Sequence, residues 1–173
     1  MQMLFEGLIT IDGHSGAGKT TLASAVSARL GIQWATQLQP KPTWSGASSG
    51  VCIKDTFYSL LWEVCRLNAP DEKVWLNRLH VFQSLMDTPT LSFYLKVPLH
   101  MSKERVVARE SERYKHLDRT YLPDERADAI DNRFWCWLQE QCDHLHIIDA
   151  TWSADVVSAE VLGLIYNELK VAM

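Results

Sequence analysis

Several features are scarce or missing in this chain of 173 residues, and each absence argues against a class of protein. No apolar run approaches the roughly 20 residues that a membrane-spanning helix needs, and the opening ten residues are too short for a signal peptide. The four cysteines show no C-x-x-C spacing, and the net charge of −4 provides no basic field. We therefore expect a soluble, cytoplasmic protein that binds neither nucleic acid nor membranes.

The composition is that of an ordinary globular chain, with 47% hydrophobic and 22% charged residues, and we expect a single domain over 1–173. Strand and helix patterns alternate, which predicts an α/β fold with a parallel sheet covered by helices on both faces. A segment rich in Pro, Ser and Gly, 38–50, is predicted to be a loop. Strands are predicted over 7–12, 32–37, 50–55, 91–97 and 145–149, and helices over 19–30, 56–67, 73–87, 102–116, 123–142 and 153–169.

The first predicted turn carries the sequence GHSGAGKT, which fits the pattern G-x-x-x-x-G-K-[ST] and lies between a strand and a helix. Glycines allow backbone N–H groups to turn towards one concavity, and the start of the helix adds its positive end. The Lys side chain can reach β- and γ-phosphates, and the Thr hydroxyl can bind Mg²⁺. The predicted nucleotide-binding residues are Gly13, His14, Ser15, Gly16, Ala17, Gly18, Lys19, Thr20 and Thr21.

Three stretches carry a resemblance to a known family. ITIDGHSGAGKTTLA (9–23) is similar to the opening of uridine and cytidylate kinases, and PTLSFYLKVPLHMSKERVVARE (89–110) resembles thymidylate kinases. HIIDATWSADVV (146–157) resembles the last strand, adenine-side loop and last helix of the same group. The resemblance implies a P-loop kinase fold with a five-stranded parallel sheet, ATP and Mg²⁺ as cofactors, and Asp149, Ala150 and Thr151 in the adenine-side loop.

Arginines at helical spacing follow the predicted strand 91–97. Arg105, Arg109 and Arg113 are four residues apart, so they fall within about 80° of one helix face. In a P-loop kinase, such a face closes over the transferring phosphoryl group and offsets its developing charge. We expect an arginine lid over about 102–126, with these three residues in catalytic roles beside Lys19. The alternative is a solvated face that neighbouring glutamates neutralise.

Two aspartates compete for the role of catalytic carboxylate. Asp55 ends the predicted strand 50–55, where parallel sheets open their ligand crevice, and with Thr20 it would bind Mg²⁺. Thymidylate kinases have an Asp-Arg pair at this place, but Thr56 follows here. Asp12, just before Gly13, is the second candidate, since the opening that resembles uridine kinases also has an aspartate there. Asp55 could instead cap the next helix.

The acceptor of the phosphoryl group is not identified by the sequence. Thymidylate kinases use a long helical segment between their second and third strands for the acceptor, whereas this chain has only the loop 38–50. The expected function is transfer of the γ-phosphoryl group of Mg-ATP to a nucleoside, nucleotide or similar small molecule. A kinase of a non-nucleotide metabolite and a non-catalytic ATP-binding module stay open, as does a homodimer through the apolar helix predicted over 123–142.

Overall fold

A computed structural model describes residues 7–36, 51–55, 88–108 and 135–168, together with Lys73, Val74, Asn77, His80 and Val81. Five strands and three helices have defined bounds. The strands are β1 Gly7–Gly13, β2 Gln33–Thr36, β3 Val51–Asp55, β4 Leu91–Lys96 and β5 Leu145–Asp149, and the helices are α1 Lys19–Leu30, α2 Leu99–Val107 and α3 Ala154–Glu168. Residues 135–141 and the five isolated residues are also helical.

The strands form one five-stranded sheet in the order β2-β3-β1-β4-β5, and all four pairings are parallel. The central strand β1 therefore has β3 on one side and β4 on the other. Since parallel strands all end at the same edge, the loop after β1 lies between the ends of β3 and β4. This arrangement confirms the α/β class and the parallel five-stranded sheet.

Helices α1 and α3 cover one face of the sheet. Ile9 and Ile11 of β1 are buried there together with Phe93 of β4 and Ile148 of β5. The two helices contribute their apolar stripes, which comprise Leu22, Ala23 and Val26 of α1 and Val157, Val161 and Ile165 of α3. Strands β1 and β4 are buried on both faces, so their sequences are nearly continuous apolar runs rather than alternating patterns.

The opposite face contains a row of buried polar side chains. Thr10 Oγ1 donates a hydrogen bond to Ser92 Oγ at 2.9 Å, and Ser92 Oγ contacts Cys142 Sγ at 3.2 Å. Cys142 directly follows the helical residues 135–141, so this contact places that segment over the second face. Burial raises the pKa of the Cys142 thiol to about 11, which keeps the side chain neutral in this interior position.

The predicted and observed boundaries agree within one residue for all five strands, for α1 and for α3. The prediction was wrong for α2, which begins at Leu99 rather than at Ser102. Pro98, with φ −57° and ψ 143°, takes the N-cap position, and a helix can start directly after an extended residue of this kind. The helix predicted over 56–67 and the loop predicted over 38–50 lie outside the described residues.

Two glycines provide a matched test of backbone conformation, because a Cβ added to either one would meet open space. Gly163 lies inside α3, and Gly31 ends α1 with a left-handed φ of +66°. We expect Gly163→Ala to raise the free energy of unfolding by about 0.5–1 kcal/mol, because alanine loses less backbone freedom in a helix. Gly31→Ala should lower it by about 1 kcal/mol. Urea unfolding of both variants measures the two changes in the free energy of unfolding. Changes of the same sign would contradict the helical conformation of Gly163 or the left-handed conformation of Gly31.

Candidate active site

The phosphate-loop motif lies between β1 and α1, as the sequence predicts. Gly13, Gly16 and Gly18 have φ values of +144°, +86° and +97°, which L-residues with side chains rarely adopt. Gly18 is the N-cap of α1, and no side chain among the described residues caps this helix end. The N-terminal amides of α1 therefore face the loop, where the positive end of the helix dipole favours an anion.

The loop is packed closely against its neighbours on the side of β4. A Cβ at Gly13 would come within 2.6 Å of the Leu95 carbonyl oxygen. A Cβ at Gly16 would collide with the carbonyl oxygen of Ser102 in α2. Gly13 and Gly16 are thus required for two reasons, their positive φ angle and the close approach of another backbone.

The side chain of Lys19 folds back over the loop. Its Nζ donates hydrogen bonds to the carbonyl oxygens of Gly13, at 2.8 Å, and of His14, at 2.7 Å. These contacts hold the ammonium group above the concavity that the loop encloses. The loop thus combines a fixed positive charge with the N-terminal amides of α1, a pair of features that suits the phosphate groups of a nucleotide.

Asp55 lies beside the loop, at the end of β3. Its Oδ2 accepts a hydrogen bond from Thr20 Oγ1 at 2.6 Å, while no described residue donates to its Oδ1. The side chain is fully buried. Burial raises the pKa of this carboxyl above its ordinary value, although the Thr20 hydroxyl and the Lys19 ammonium act in the opposite direction. Two oxygen groups that can act as metal ligands, the Thr20 hydroxyl and the Asp55 carboxylate, are therefore in contact at the N-terminal end of α1.

Asp12, the other candidate carboxylate, is also fully buried but lies on the opposite face of the sheet. Asp55 is in register with Ile11, whose side chain belongs to the core beneath α1. Successive side chains of a strand point to opposite faces, so Asp12 points away from α1. Its charge acts on the Cys142 thiol, which agrees with this placement. Only Asp55 of the two is thus brought into contact with Thr20.

A cavity of about 420 Å³ lies between the phosphate loop, Arg105 and the segment 150–157. Arg105 of α2 lines it and donates a hydrogen bond from Nη2 to the carbonyl oxygen of Ala150 at 3.0 Å. The structure thus places Arg105 against the segment after β5. The remaining lining residues come from the loop, from α1, from β4 and from 150–157: Gly16, Ala17, Gly18, Thr21, Leu22, Leu95, Ala150, Trp152, Ser153, Ala154 and Val157.

The segment after β5 is shaped by Asp149, which the sequence analysis assigned to the adenine-side loop. Its Oδ1 accepts hydrogen bonds from Thr151 N, at 3.0 Å, and from Thr151 Oγ1, at 2.7 Å. These bonds hold the pKa of the exposed Asp149 carboxyl below its ordinary value. Sequence reasoning missed Trp152, which lines the cavity although 62% of it is exposed. An aromatic residue directly after Asp149, Ala150 and Thr151 was the available signal.

Other predicted features have no counterpart in the described part of the chain. Arg109 and Arg113 lie outside it, as does most of the predicted lid over 102–126. Within the ranges described, no group of three or more His, Cys, Asp or Glu side chains is arranged to hold a metal ion. In the same ranges, no helix has the length and apolar character needed to cross a membrane.

The arrangement of sheet, loop and cavity defines a class of fold. A five-stranded parallel sheet of this order, with a phosphate loop after the central strand, is the fold of P-loop nucleoside and nucleotide kinases, and the solved structures that match the chain include such enzymes. No protein-family model matches the chain, and no curated protein sequence matches it.

Two of these structures are deoxyadenosine kinases from M. mycoides. One, with dCMP and a flexible dCDP bound, superposes with a TM-score of 0.65 at 13% identity over 92% of this chain and 98% of its own. The other, with dATP bound, gives 0.61 at 15% identity over 95% and 100%. Thymidylate kinase from Candida albicans gives 0.60 at 16% identity over 94% and 92%. At these identities the similarity establishes the fold, and it confirms the P-loop kinase fold expected from the sequence.

The raised pKa of Asp55 predicts a pH-dependent effect on stability. The folded protein holds the Asp55 proton to a higher pH than the unfolded chain does, so the associated stability is complete below pH 3.8 and is lost as the pH rises through the folded-state pKa. We expect Asp55→Asn, which cannot ionise, to raise the Tm of the ligand-free protein at pH 7. The gain should shrink towards pH 4 in a thermal unfolding series.

Asp149→Asn is the control for this series, because the pKa of Asp149 is shifted in the opposite direction. Stability from Asp149 is present above its unfolded-state pKa and is lost as the pH falls, so its removal should not raise Tm at pH 7. A lower Tm for Asp55→Asn than for the wild type at pH 7 would contradict the argument, since it would mean that the buried charge is stabilising.

Proposed function

We propose that this chain is an ATP-dependent kinase that transfers the γ-phosphoryl group to a nucleoside, a nucleotide or a similar small molecule. The observation that carries the proposal is the contact between Thr20 and Asp55 at the N-terminal end of α1, where the Lys19 ammonium is near enough to act electrostatically on the Asp55 carboxyl. The Lys19 ammonium and the start of α1 provide a site for an anion, and Thr20 and Asp55 provide two oxygen ligands for a metal ion beside it. The fold shared with deoxyadenosine and thymidylate kinases supports the same reaction class.

The chain's own groups account for binding of the donor nucleotide. The loop amides between Gly13 and Lys19 would bind the β-phosphate, and the Lys19 ammonium would bind between the β- and γ-phosphates. Little covalent chemistry is required of the protein in phosphoryl transfer, so these groups act by positioning the phosphates and by offsetting their charge. The cavity beside the loop would hold the base.

The residues beside the loop fit a magnesium ion. Mg²⁺ prefers oxygen ligands and usually binds one or two carboxylates together with substrate phosphates and water. Thr20 Oγ1 and Asp55 Oδ2 are 2.6 Å apart, and the buried Oδ1 of Asp55 has no hydrogen-bond donor among the described residues. Thr20 and Asp55 would therefore hold the ion, which when bound neutralises charge on the phosphate oxygens.

The arginines of the predicted lid divide into two roles. Arg105 donates to the Ala150 carbonyl and lines the cavity, so we assign it to the base end of the donor site rather than to the transferred group. Arg109 and Arg113 follow at four-residue intervals. We propose that these two residues contribute the positive charge that closes over the phosphoryl group, as their spacing predicts.

The direct test of the proposed function is ADP formation from Mg-ATP against a panel of acceptors that includes deoxynucleosides, nucleoside monophosphates and unrelated alcohols and amines. We expect one acceptor class to stimulate ADP formation. Lys19→Ala should reduce the stimulated rate about 100-fold or more, because it removes a charge that stabilises the transition state. Lys103→Ala, which removes a partly exposed lysine of α2, serves as the control with an unchanged rate.

The outcomes of this assay separate the three functions that the sequence leaves open. Stimulation by a deoxynucleoside or a nucleoside monophosphate supports the proposal and names the acceptor. Stimulation by a non-nucleotide alcohol or amine identifies a metabolite kinase on the same fold. ATP binding without stimulated ADP formation by any acceptor would favour a non-catalytic nucleotide-binding module.

The two arginine roles predict different kinetic effects. Arg109→Ala should lower kcat about 100-fold, with little change in the KM for ATP, because its charge would be used in the transition state. Arg105→Ala should mainly raise the KM for ATP, because it removes a wall of the base cavity. Steady-state kinetics with the identified acceptor measures both effects. An unchanged turnover in Arg109→Ala would show that the arginine face is only a solvated surface.

A further inference from the structure

Gly16 of the phosphate loop is enclosed on one side by helix α2. A Cβ built on Gly16 would collide with the carbonyl group of Ser102 and would lie 3.1 Å from Val106 Cγ2. Ordinary van der Waals contact of a Cβ begins near 3.4 Å, so no further carbon fits between the loop and this side of α2. Ser102 and Val106 are four residues apart, which places both on the same side of the helix.

The burial of Val106 is not explained by the main core. Its side chain is buried, yet it does not belong to the apolar cluster that α1, α3 and the sheet form among the described residues. The buried valines of the other two helices, Val26, Val157 and Val161, all belong to that cluster. Val106 is therefore buried by contacts outside the cluster, and Gly16 is one of its neighbours there.

The rest of the loop is fixed by contacts of other kinds. The N–H of Ala17 donates to the His14 carbonyl at 3.1 Å, and the Ala17 methyl lies in the main core. Lys19 Nζ donates to the carbonyls of Gly13 and His14. Gly16 has no side chain to anchor it, and glycine has more backbone freedom than any other residue. At Gly16 the wall formed by α2 therefore provides the restraint that a side chain provides elsewhere.

From these observations we propose that Val106 is a positioning residue of the phosphate site, whose side chain holds Gly16 and the loop amides in the conformation that binds phosphate. A valine has no charge and no side-chain hydrogen-bond donor, so it affects an anion only through the loop that it contacts. The inference rests on the proposed function, since it assumes that a polyphosphate binds at the loop. It goes beyond that function by assigning part of the affinity to a residue outside the groups that would bind the phosphates.

The expected effect is one of preorganisation. A loop that already has its bound conformation loses little backbone entropy when the ligand arrives. Shortening Val106 to alanine would give Gly16 space to move in the free protein, and binding would then have to remove that freedom. Fixing the backbone of one residue corresponds to a factor of roughly 5 to 30 in an equilibrium constant.

Calorimetric titration of the full chain with two probes, Mg-ATP and inorganic magnesium tripolyphosphate, tests this proposal. We expect Val106→Ala to raise both Kd values by the same factor, roughly 5- to 30-fold. The factors should be equal because the loop would bind the phosphates that the two probes share. Val106→Thr keeps the branched shape of the side chain and should retain most of the affinity for both probes.

Val161→Ala is the matched control for lost stability. It removes the same two methyl groups from a fully buried valine of α3 that belongs to the main core. It should lower Tm at least as much as Val106→Ala does and leave both Kd values unchanged.

Ser102→Ala is the control within α2. Ser102 meets Gly16 through its backbone carbonyl, and its buried hydroxyl has no hydrogen-bond partner among the described residues. The substitution retains the backbone contact, so both Kd values should again stay unchanged.

Three results would overturn the proposal while the wild type binds both probes. The first is an unchanged pair of Kd values in Val106→Ala. The second is equal weakening by Val161→Ala or Ser102→Ala, because affinity would then follow general stability or any change in α2. The third is weakening of ATP alone, which would place the effect of Val106 at the base instead of the loop. If the wild type binds neither probe, the proposed function fails and the inference fails with it.

Discussion

The form of the phosphate loop depends on two glycines. At each of them another backbone comes so close that a side chain would not fit. Gly13 lies against the Leu95 carbonyl of β4, and Gly16 lies against the Ser102 carbonyl of α2. These contacts join the central strand, the loop and the helix that carries Arg105 into one packed unit. The position of the anion site relative to the base cavity depends on this packing, because α2 forms one wall of the cavity.

The charges of the site are arranged on that framework at some cost to stability. Asp55 is buried, and its desolvation disfavours the charged form that a metal site needs. The Thr20 hydroxyl and the Lys19 ammonium offset part of this cost without cancelling it. Such a conflict between stability and function is common at sites that bind charged ligands. A bound cation would relieve it, because the carboxylate would then have a direct partner.

The sequence predicted much of the fold, for reasons that lie in single residues. Strands β1 and β3 could be predicted because buried parallel strands are largely apolar runs, and these two end at Gly13 and Asp55. The phosphate loop could be predicted because glycines at this spacing before Lys19, between a strand and a helix, are typical of a phosphate-binding loop. The start of α2 differs from the prediction because Pro98, which interrupts the strand pattern, also takes the N-cap position, and an N-cap residue has extended backbone angles.

The candidate site was predicted less completely, because its contacts join residues far apart in the chain. The register of β1 and β3 decides which carboxylate meets Thr20, and no local pattern states that Asp55 and Asp12 lie on opposite faces. The partner of Arg105 is 45 residues away, at Ala150. Trp152 could be found only through the cavity that it lines. The loop 38–50 and the arginines beyond residue 108 stay predictions.

The buried pair of Thr10 and Ser92 has a consequence for how the sheet assembles. The two residues are opposite each other in the register of β1 and β4, and their buried hydroxyls bond to each other on the face of the sheet opposite α1. A slip of one residue would bring Leu91 or Phe93 opposite Thr10 and would turn Ser92 towards the core beneath α1. Each unpaired hydroxyl would then cost about 1–3 kcal/mol. The pair therefore favours the observed register of β1 and β4 over a shifted one. The same register fixes where β1 ends, and so where the loop begins, relative to the neighbouring strands.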